Sequence, residues 1–176
     1  MSERRPAIVG VGNVLMGDDG IGPAAIEALR QGRVGDRAEL IDAGLALGEV
    51  LCDLDPHQPL VIIDALRGGG GPGSLYRLGL DVLNPQGASV RRAVSLHEVG
   101  VQSALRMEAL SGREFTHVTI FGVEPGKVAW GQRLSRPVAQ SLKNLVRVIR
   151  GYLDELAAPE AQGDAVAGGT SRGVQE

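Results

Sequence analysis

The stretch AIVGVGNVLMGDDGIG, residues 7–22, carries the pattern of a strand, a loop and the start of a helix. Its apolar first part, residues 7–11, predicts a buried strand. Gly22 and Pro23 begin a helix that we expect to reach about Arg30, because proline suits the first turn of a helix. A strand that leads into a helix in this way is typical of an α/β fold.

The rest of the chain repeats this alternation of strand and helix patterns. We predict strands over residues 38–43, 59–65, 75–80, 88–95 and 117–123, with 75–80 at a sheet edge, and helices over residues 45–54, 95–110 and 135–156. The apolar stripe of the last helix is formed by Val138, Leu142, Leu145, Ile149 and Leu153. The pattern predicts an α/β fold with a mostly parallel, twisted sheet of about five strands sandwiched between helices in three layers (α/β/α).

Length and composition bound the class of protein. With 176 residues, of which 43% are hydrophobic, the chain can form one globular domain, which we place at residues 1–157 with a flexible tail at 158–176. A net charge of −3 and the lack of a basic stripe argue against a nucleic-acid partner. Because we find neither a membrane-spanning apolar run nor a signal-peptide pattern, we expect a cytoplasmic protein.

The single cysteine and two of the histidines give weaker signals. Cys52 excludes an intrachain disulfide and a CxxC metal site, and its apolar neighbours predict a buried, unreactive thiol. His117 begins an apolar strand and is expected to pack beside it, whereas His57 is expected on a surface loop.

Three side chains that can bind metal ions or transfer protons follow predicted strands. Asp19 lies in the loop after the first strand, Asp64 closes the strand 59–65, and His97 lies in the first turn of the helix after residues 88–95. Because ligands of such sheets bind beyond the carboxyl ends of the strands, we expect the three residues to meet there. Two carboxylates and an imidazole can hold a divalent ion such as Zn²⁺, Ni²⁺ or Mn²⁺, or can supply a general base.

Each of these residues also has a structural interpretation. Either Asp18 or Asp19 can cap the following helix, which would leave the other to face the cleft. Asp64 can form a turn, and His97 can be an ordinary first-turn residue. Asn13 can brace its loop or bind a substrate backbone.

A nucleotide-binding loop is the weaker interpretation of residues 10–22. A dinucleotide fingerprint requires Gly-x-Gly-x-x-Gly, whereas Gly17 stands too far beyond Gly10 and Gly12. The two adjacent acids would also repel a pyrophosphate at the helix N-terminus. Asp42 does imitate the ribose-binding acid, but the loop as a whole favours a cation or a neutral chain over a phosphate.

Five segments in their order resemble the [NiFe]-hydrogenase maturation endopeptidases. They are GVGNVLMGDDGIG (10–22), IIDA (62–65), PGSL (72–75), SLHEVG (95–100) and FGVEP (121–125). The resemblance covers residues 7–156 and implies the fold predicted above. It implies an aspartic-type peptidase that trims a C-terminal extension from a hydrogenase large subunit after nickel insertion. The glycine-rich run 68–71 departs from the family pattern and can alter how the substrate is gripped.

The resemblance also implies roles for individual residues. Asp19 and Asp64 match the candidate catalytic acids, and together with His97 they match the metal-contacting positions. Residues assigned to substrate binding or loop support are Asn13, Asp18 and Gly44. The implied enzyme has no cofactor of its own, because nickel arrives with the substrate, although a divalent ion such as Ni, Cd or Zn can occupy the site.

The expected partner is a [NiFe]-hydrogenase large-subunit precursor, and the expected state is a monomer. Two mechanisms stay open. The two acids can divide the acid and base roles, or substrate nickel can dock on the three residues and align the scissile bond for attack by water. A non-catalytic, metal-sensing chaperone of the precursor is the alternative function.

Overall fold

The computed structural model describes residues 4–80, 96–131 and 133–158, with side chains from Gly100 onward in the helix that begins at Leu96. Within these ranges it has five strands and four α-helices. The strands are β1 (Ala7–Val11), β2 (Glu39–Gly44), β3 (Leu60–Ala65), β4 (Leu75–Gly79) and β5 (Val118–Val123). The helices are α1 (Ile21–Gln31), α2 (Leu47–Asp53), α3 (Leu96–Leu110) and α4 (Arg136–Ala157). Short 3₁₀ turns lie at Asp18–Gly20 and Val34–Asp36.

The strands form one sheet in the order β2-β1-β3-β5-β4. β1 pairs in parallel with β2 and β3, β3 pairs in parallel with β5, and β4 is antiparallel to β5 at the edge. The predicted mostly parallel sheet and the edge strand at 75–80 are therefore confirmed. Because β1, β2, β3 and β5 are parallel, their carboxyl ends lie along one edge of the sheet.

Helices cover both faces of this sheet. Alternate strand residues point to opposite faces. Ile8 and Ile63 pack with residues of α1 and α4 on one face, and Val9 and Ile62 pack with residues of α2 and α3 on the other. The three-layer prediction is confirmed.

The apolar stripe predicted for α4 is also confirmed. Its members are buried or packed against the core: Val138, Leu145, Ile149 and Leu153 are buried, and Leu142 is partly buried. This helix therefore packs beside α1 in the same layer.

Two glycines allow α1 to lie directly against β1. A Cβ on Gly10 would lie 2.5 Å from the carbonyl oxygen of Gly22, and a Cβ on Gly22 would collide with the backbone of Val11 and Ile63. Neither position accepts a side chain unless the helix moves. In a dinucleotide fingerprint the third glycine permits close packing of the helix against the strand. Here Gly22 has that role, and it lies well beyond the position that the fingerprint requires.

Some predictions fall outside the described residues. These are the strand 88–95, Ser95 at the predicted start of the helix 95–110, and the tail from 159 onward. Among the helices that the structure describes, none is long and apolar enough to cross a membrane.

Two expectations about single residues are wrong. Cys52 is exposed, because α2 turns Leu47 and Leu51 toward the core and its other residues face outward. His117 is exposed as well, because β5 begins only at Val118. The expectation that His57 lies at the surface is confirmed.

Candidate functional site

The carboxyl edge of the sheet brings the turn that carries Asp19 against the strand that carries Asp64. Asp64 is the next-to-last residue of β3, and the preceding Ile63 pairs with Gly10 of β1. The short turn Asp18–Gly20 follows β1 and packs against β3. Both carboxylates are buried, with 2% of Asp19 and 4% of Asp64 exposed. Two buried acids therefore lie at this edge, Asp64 near the end of β3 and Asp19 in the turn that packs against β3.

Asp19 is held by the start of its own loop. The backbone N–H of Asn13 donates a hydrogen bond to Asp19 Oδ2 at 2.8 Å, and the Asn13 side-chain oxygen accepts one from the N–H of Leu15 at 2.9 Å. Gly12 has a φ of +132°, and a Cβ there would collide with the carbonyl oxygen of Asp19. The Asn13 side chain thus bonds within its loop, and Gly12 makes room for Asp19.

Gly44 connects the end of β2 to the same loop. Its carbonyl oxygen accepts a hydrogen bond from the N–H of Gly12 at 2.8 Å. Its own N–H donates to Asp42 Oδ1 at 3.0 Å, and its φ of +51° suits glycine. Asp42 therefore forms a local turn that positions Gly44 beside the loop after β1.

Asp64 lies in the wall of an open groove at the α2 and α3 side of the sheet. Its Oδ1 accepts a hydrogen bond from the N–H of Ala65 at 2.7 Å. The groove has a volume of about 240 Å³, and its other described lining residues are Val11, Leu45, Leu47, Gly48, Gly100, Val101 and Ala104. Asp64 is the one charged residue among those that are described in this lining.

A larger cavity lies elsewhere, beside β2 and the end of α2. Its volume is about 310 Å³, and its lining includes Glu39, Asp53 and Gln58. It contains none of the residues predicted for the site, and Glu39 is the first residue of β2, at the opposite edge from Asp64. We therefore place the candidate site at the smaller groove.

His97 is the second residue of α3, one helical turn before Val101, which lines the groove. Its side chain lies outside the described residues. Among the described side chains, no group of three or more His, Cys, Asp or Glu can hold a metal ion. His97 is not among these described side chains, so the three-residue metal site stays a prediction.

Asp18, the neighbour of Asp19, contacts a different part of the chain. Asp18 is fully buried. Its Oδ2 accepts hydrogen bonds from the N–H groups of Gly126 at 2.8 Å and Lys127 at 2.7 Å, and its Oδ1 accepts one from the N–H of Ser135. Asp18 therefore clamps the loop between β5 and α4 to the loop after β1; we call this set of contacts the Asp18 clamp.

The clamp stabilises the ionised form of Asp18. Burial opposes ionisation, but the backbone hydrogen bonds, led by those from Lys127 and Ser135, outweigh it and lower the pKa of Asp18 from its usual 3.8. The expectation that Asp18 or Asp19 caps α1 is wrong, because the N-cap is Gly20 and no side chain caps it. Both acids lie in the turn before that helix, where the distant loop binds Asp18 instead.

Glu124 is a second clamping acid, which the sequence patterns do not single out. It is buried, and its Oε2 accepts hydrogen bonds from the Tyr76 hydroxyl at 2.7 Å and from the N–H groups of Gly68 at 2.7 Å and Gly70 at 3.3 Å. We call these contacts the Glu124 clamp. It fixes the glycine-rich run 68–71 beside β4, at the same edge as Asp64.

The Glu124 clamp also favours a charged acid. Burial raises the pKa of Glu124, but the hydrogen bonds from the Tyr76 hydroxyl and the glycine N–H groups outweigh this effect. The net result is a pKa below the usual 4.5. The signal that could have identified this residue is an acid at the end of a buried apolar run, which is also the signal that identifies Asp64. The pattern does not distinguish an acid that binds its own chain from one that faces a groove.

Cys52 does not contribute a reactive thiolate. Its Sγ lies 3.4 Å from Glu108 Oε1, and this hydrogen bond, together with desolvation, raises the pKa of the Cys52 thiol. The thiol is therefore protonated at neutral pH.

Comparison with known proteins settles the family. A family model described as hydrogenase maturation protease matches residues 23–151. The chain belongs to the hydrogenase maturation protease family. The hydrogenase expression/formation protein HoxM of Azotobacter vinelandii is 31% identical over 162 residues, which cover 90% of this chain and 77% of HoxM. The hydrogenase 2 maturation protease of Escherichia coli is 32% identical over 123 residues, 69% of this chain and 73% of that protein.

Solved structures of the family share the fold. The hydrogenase maturating endopeptidase HybD from E. coli superposes with a TM-score of 0.71 at 27% identity, covering 86% of this chain and 93% of HybD. The [NiFe] hydrogenase maturation protease HybD from Thermococcus kodakarensis has a TM-score of 0.70 at 22% identity, covering 85% and 99%. The second likeness concerns the fold alone. The family resemblance and the α/β fold predicted from the sequence are both confirmed.

Proposed function

We propose that this hydrogenase maturation protease is an endopeptidase that removes the C-terminal extension of a nickel-loaded [NiFe]-hydrogenase large-subunit precursor. The observation that carries the proposal is a pair of buried acids: Asp64 lies near the end of β3 in the lining of an open groove, and Asp19 lies in the turn that packs against β3. An open groove admits an extended peptide, and two acids can perform the proton transfers of hydrolysis.

Hydrolysis at this pair consumes one water molecule. Water attacks the carbonyl carbon of the scissile bond, and one carboxylate accepts the proton that water releases. The C–N bond then breaks, and that proton passes to the amine of the departing extension. Asp19 and Asp64 are the groups we assign to these transfers, which makes the enzyme aspartic-type.

Nickel carried by the precursor explains how a loaded substrate is recognised. We assign the docking of this ion to Asp19, Asp64 and His97. Oxygen and imidazole ligands suit an ion of this kind. Docking of loaded precursor therefore aligns the peptide for attack.

The test compares nickel-loaded with nickel-free precursor from the organism that encodes this chain. Intact-mass spectrometry after incubation reports whether the large subunit is shortened. We expect shortening of the loaded precursor alone, and none with Asp19→Asn, Asp64→Asn or His97→Ala. Asp36→Asn is the matched control, because Asp36 is exposed and precedes β2 at the opposite edge of the sheet.

The outcomes separate the alternatives. Binding of loaded precursor without shortening would support a metal-sensing chaperone instead. Normal shortening by all three variants would reject the site assignment and keep the peptidase. Saturable micromolar binding of NAD or ATP would support a nucleotide-binding protein, although buried acids occupy the turn where a phosphate would rest.

The proposal also describes a cytoplasmic monomer without a cofactor of its own. Light scattering on the purified chain, alone and with precursor, tests the oligomeric state. Activity that persists after the purified enzyme is treated with a chelator and returned to buffer tests whether the metal comes only with the substrate.

A further inference from the structure

We propose that the groove beside Asp64 is a specificity pocket for one aliphatic side chain of the substrate, on a residue that flanks the scissile bond. This inference rests on the proposed peptidase function and deepens it. It concerns the groove wall formed by Gly48 of α2 and Gly100 of α3, two residues that the sequence patterns do not identify as functional.

The groove has the size and chemistry of a side-chain pocket. Its volume of about 240 Å³ lies below the roughly 300–1,000 Å³ of pockets that enclose whole small-molecule ligands. Its described walls are apolar at Val11, Leu47, Val101 and Ala104, and its rim carries Leu45, which is 71% exposed. Apolar walls favour an apolar occupant, because the occupant removes them from water.

Two helical glycines leave this groove open. Gly48 in α2 and Gly100 in α3 both line it, and no described atom lies within 4 Å of a Cβ built on either residue. Glycine inside a helix is less stable than alanine. Both helices thus carry a weak helix former where a side chain would narrow the groove.

The position of Asp64 decides which part of the substrate the groove receives. Asp64 belongs to the lining, so an occupant of the groove lies beside the carboxylate that we assign to hydrolysis. The bond that is cut must come close to that carboxylate, because proton transfer requires hydrogen-bond reach. The side chain that enters the groove therefore belongs to a residue next to the cut.

The experiment narrows the groove with leucine substitutions in the enzyme and shortens the side chains that flank the cut in the substrate. Gly48→Leu and Gly100→Leu place an aliphatic side chain in the groove, and Gly151→Leu is the matched control. Gly151 lies in α4, is exposed, and likewise has no described atom within 4 Å of a Cβ. The substrate is the nickel-loaded precursor, after mass spectrometry has located its cut, with each flanking residue replaced in turn by alanine.

We expect both groove variants to lower kcat/KM for the natural precursor by about 10- to 200-fold, the range for a misfit of this size in an apolar pocket. One of the two alanine precursors should recover much of the lost rate with Gly48→Leu while being a poorer substrate for the unaltered enzyme. Gly151→Leu should cleave every precursor as the unaltered enzyme does. Thermal melting should show that no glycine variant is less stable, because leucine is the better helix former.

The outcomes distinguish this inference from the function on which it rests. Cleavage by the unaltered enzyme and equal rates with Gly48→Leu would overturn the pocket and leave the peptidase in place. A loss of rate that neither alanine precursor relieves would also overturn it, because a general disturbance would then explain the loss. Failure of the unaltered enzyme to cleave any loaded precursor would reject the proposed function itself.

Discussion

The two sides of the candidate site are built in opposite ways. On one side, two short β-bridges and the Asp18 clamp join the loops that follow β1 and β5. On the other side, Gly48 and Gly100 leave a groove open between α2 and α3. Buried charge fixes the first side, and small residues open the second. We infer that the clamped side supplies stability and that the groove side supplies access for the substrate.

The same comparison separates two kinds of buried acid. Asp18 and Glu124 accept hydrogen bonds from N–H groups of loops far along the chain. Asp64 instead lines the open groove, and Asp19 lies in the turn that packs against the strand of Asp64. An acid with several distant backbone donors is expected to act on folding, whereas an acid at the groove is expected to act on substrate.

The largest stability effect is expected from Asp18→Ala. Removal of the carboxylate leaves three partly buried N–H groups without their acceptor, and an unsatisfied buried group costs roughly 1–3 kcal/mol. We expect the free energy of unfolding to fall by on the order of 3 kcal/mol, measured by urea denaturation followed by circular dichroism.

A local probe sharpens that measurement. Trp130 is the single tryptophan, is 80% exposed and lies in the clamped loop. Its fluorescence should therefore change in Asp18→Ala under conditions where the protein is still folded. A free energy of unfolding equal to that of Asp36→Ala would contradict the clamp.

A smaller loss is expected from the Glu124 clamp. Glu124→Gln keeps the shape but loses the charge that three donors share, so we expect a decrease of about 1–3 kcal/mol in the free energy of unfolding. Tyr76→Phe removes one of these donors and should cost about 1 kcal/mol. A double-mutant cycle measures their coupling, and strict additivity would show that the two groups do not act together.

The clamps also predict how stability responds to acid. Both folded pKa values are lowered, from 3.8 for Asp18 and 4.5 for Glu124. Their contribution is therefore fully present above these unfolded values and is lost as the pH falls through the folded values. Urea midpoints between pH 5 and pH 2 should fall less steeply for the Asp18→Asn, Glu124→Gln double variant than for the unaltered chain. Equal slopes would mean that the clamps do not lower these pKa values.

The smallest effect, and one of opposite sign, is expected on the groove side. Gly48→Ala replaces a poor helix former by the best one, in a position where no described atom opposes a Cβ. We expect a gain of about 0.5–1 kcal/mol in the free energy of unfolding. A loss of stability in the same urea assay would show that Gly48 is required for packing.

Much of the fold could be predicted from the sequence because it depends on local patterns. The apolar runs that form β1, β3 and β5 are bounded by loop residues, and parallel strands place Asp64 and the Asp19 loop at one edge whatever the details. The role of Asp18 could not be predicted in the same way. It depends on Ser135 and its neighbours, which are far from Asp18 along the chain, and no local pattern reports such a contact.

The groove and the Glu124 clamp could not be predicted from the sequence, because both depend on contacts between elements that are distant along the chain. In the sequence Gly48 is only a weak helix former in a short helix. The groove that it lines forms only where α3 packs beside α2. Glu124 appears as part of a strand-end motif, and its partner Tyr76 lies on a different strand. Exposure of Cys52 likewise depends on which face of α2 meets the sheet.

The most direct measurement replaces the two adjacent acids, Asp18 and Asp19, one at a time. Asp18→Asn and Asp19→Asn are compared side by side for cleavage of nickel-loaded precursor, at a temperature where circular dichroism shows both to be folded. We predict that Asp18→Asn melts earlier but cleaves within about tenfold of the unaltered enzyme, and that Asp19→Asn keeps its melting temperature within a few degrees but loses on the order of 10³-fold in rate. The reverse pattern, or equal losses of rate in the two variants, would contradict the division between a clamping and a reacting carboxylate.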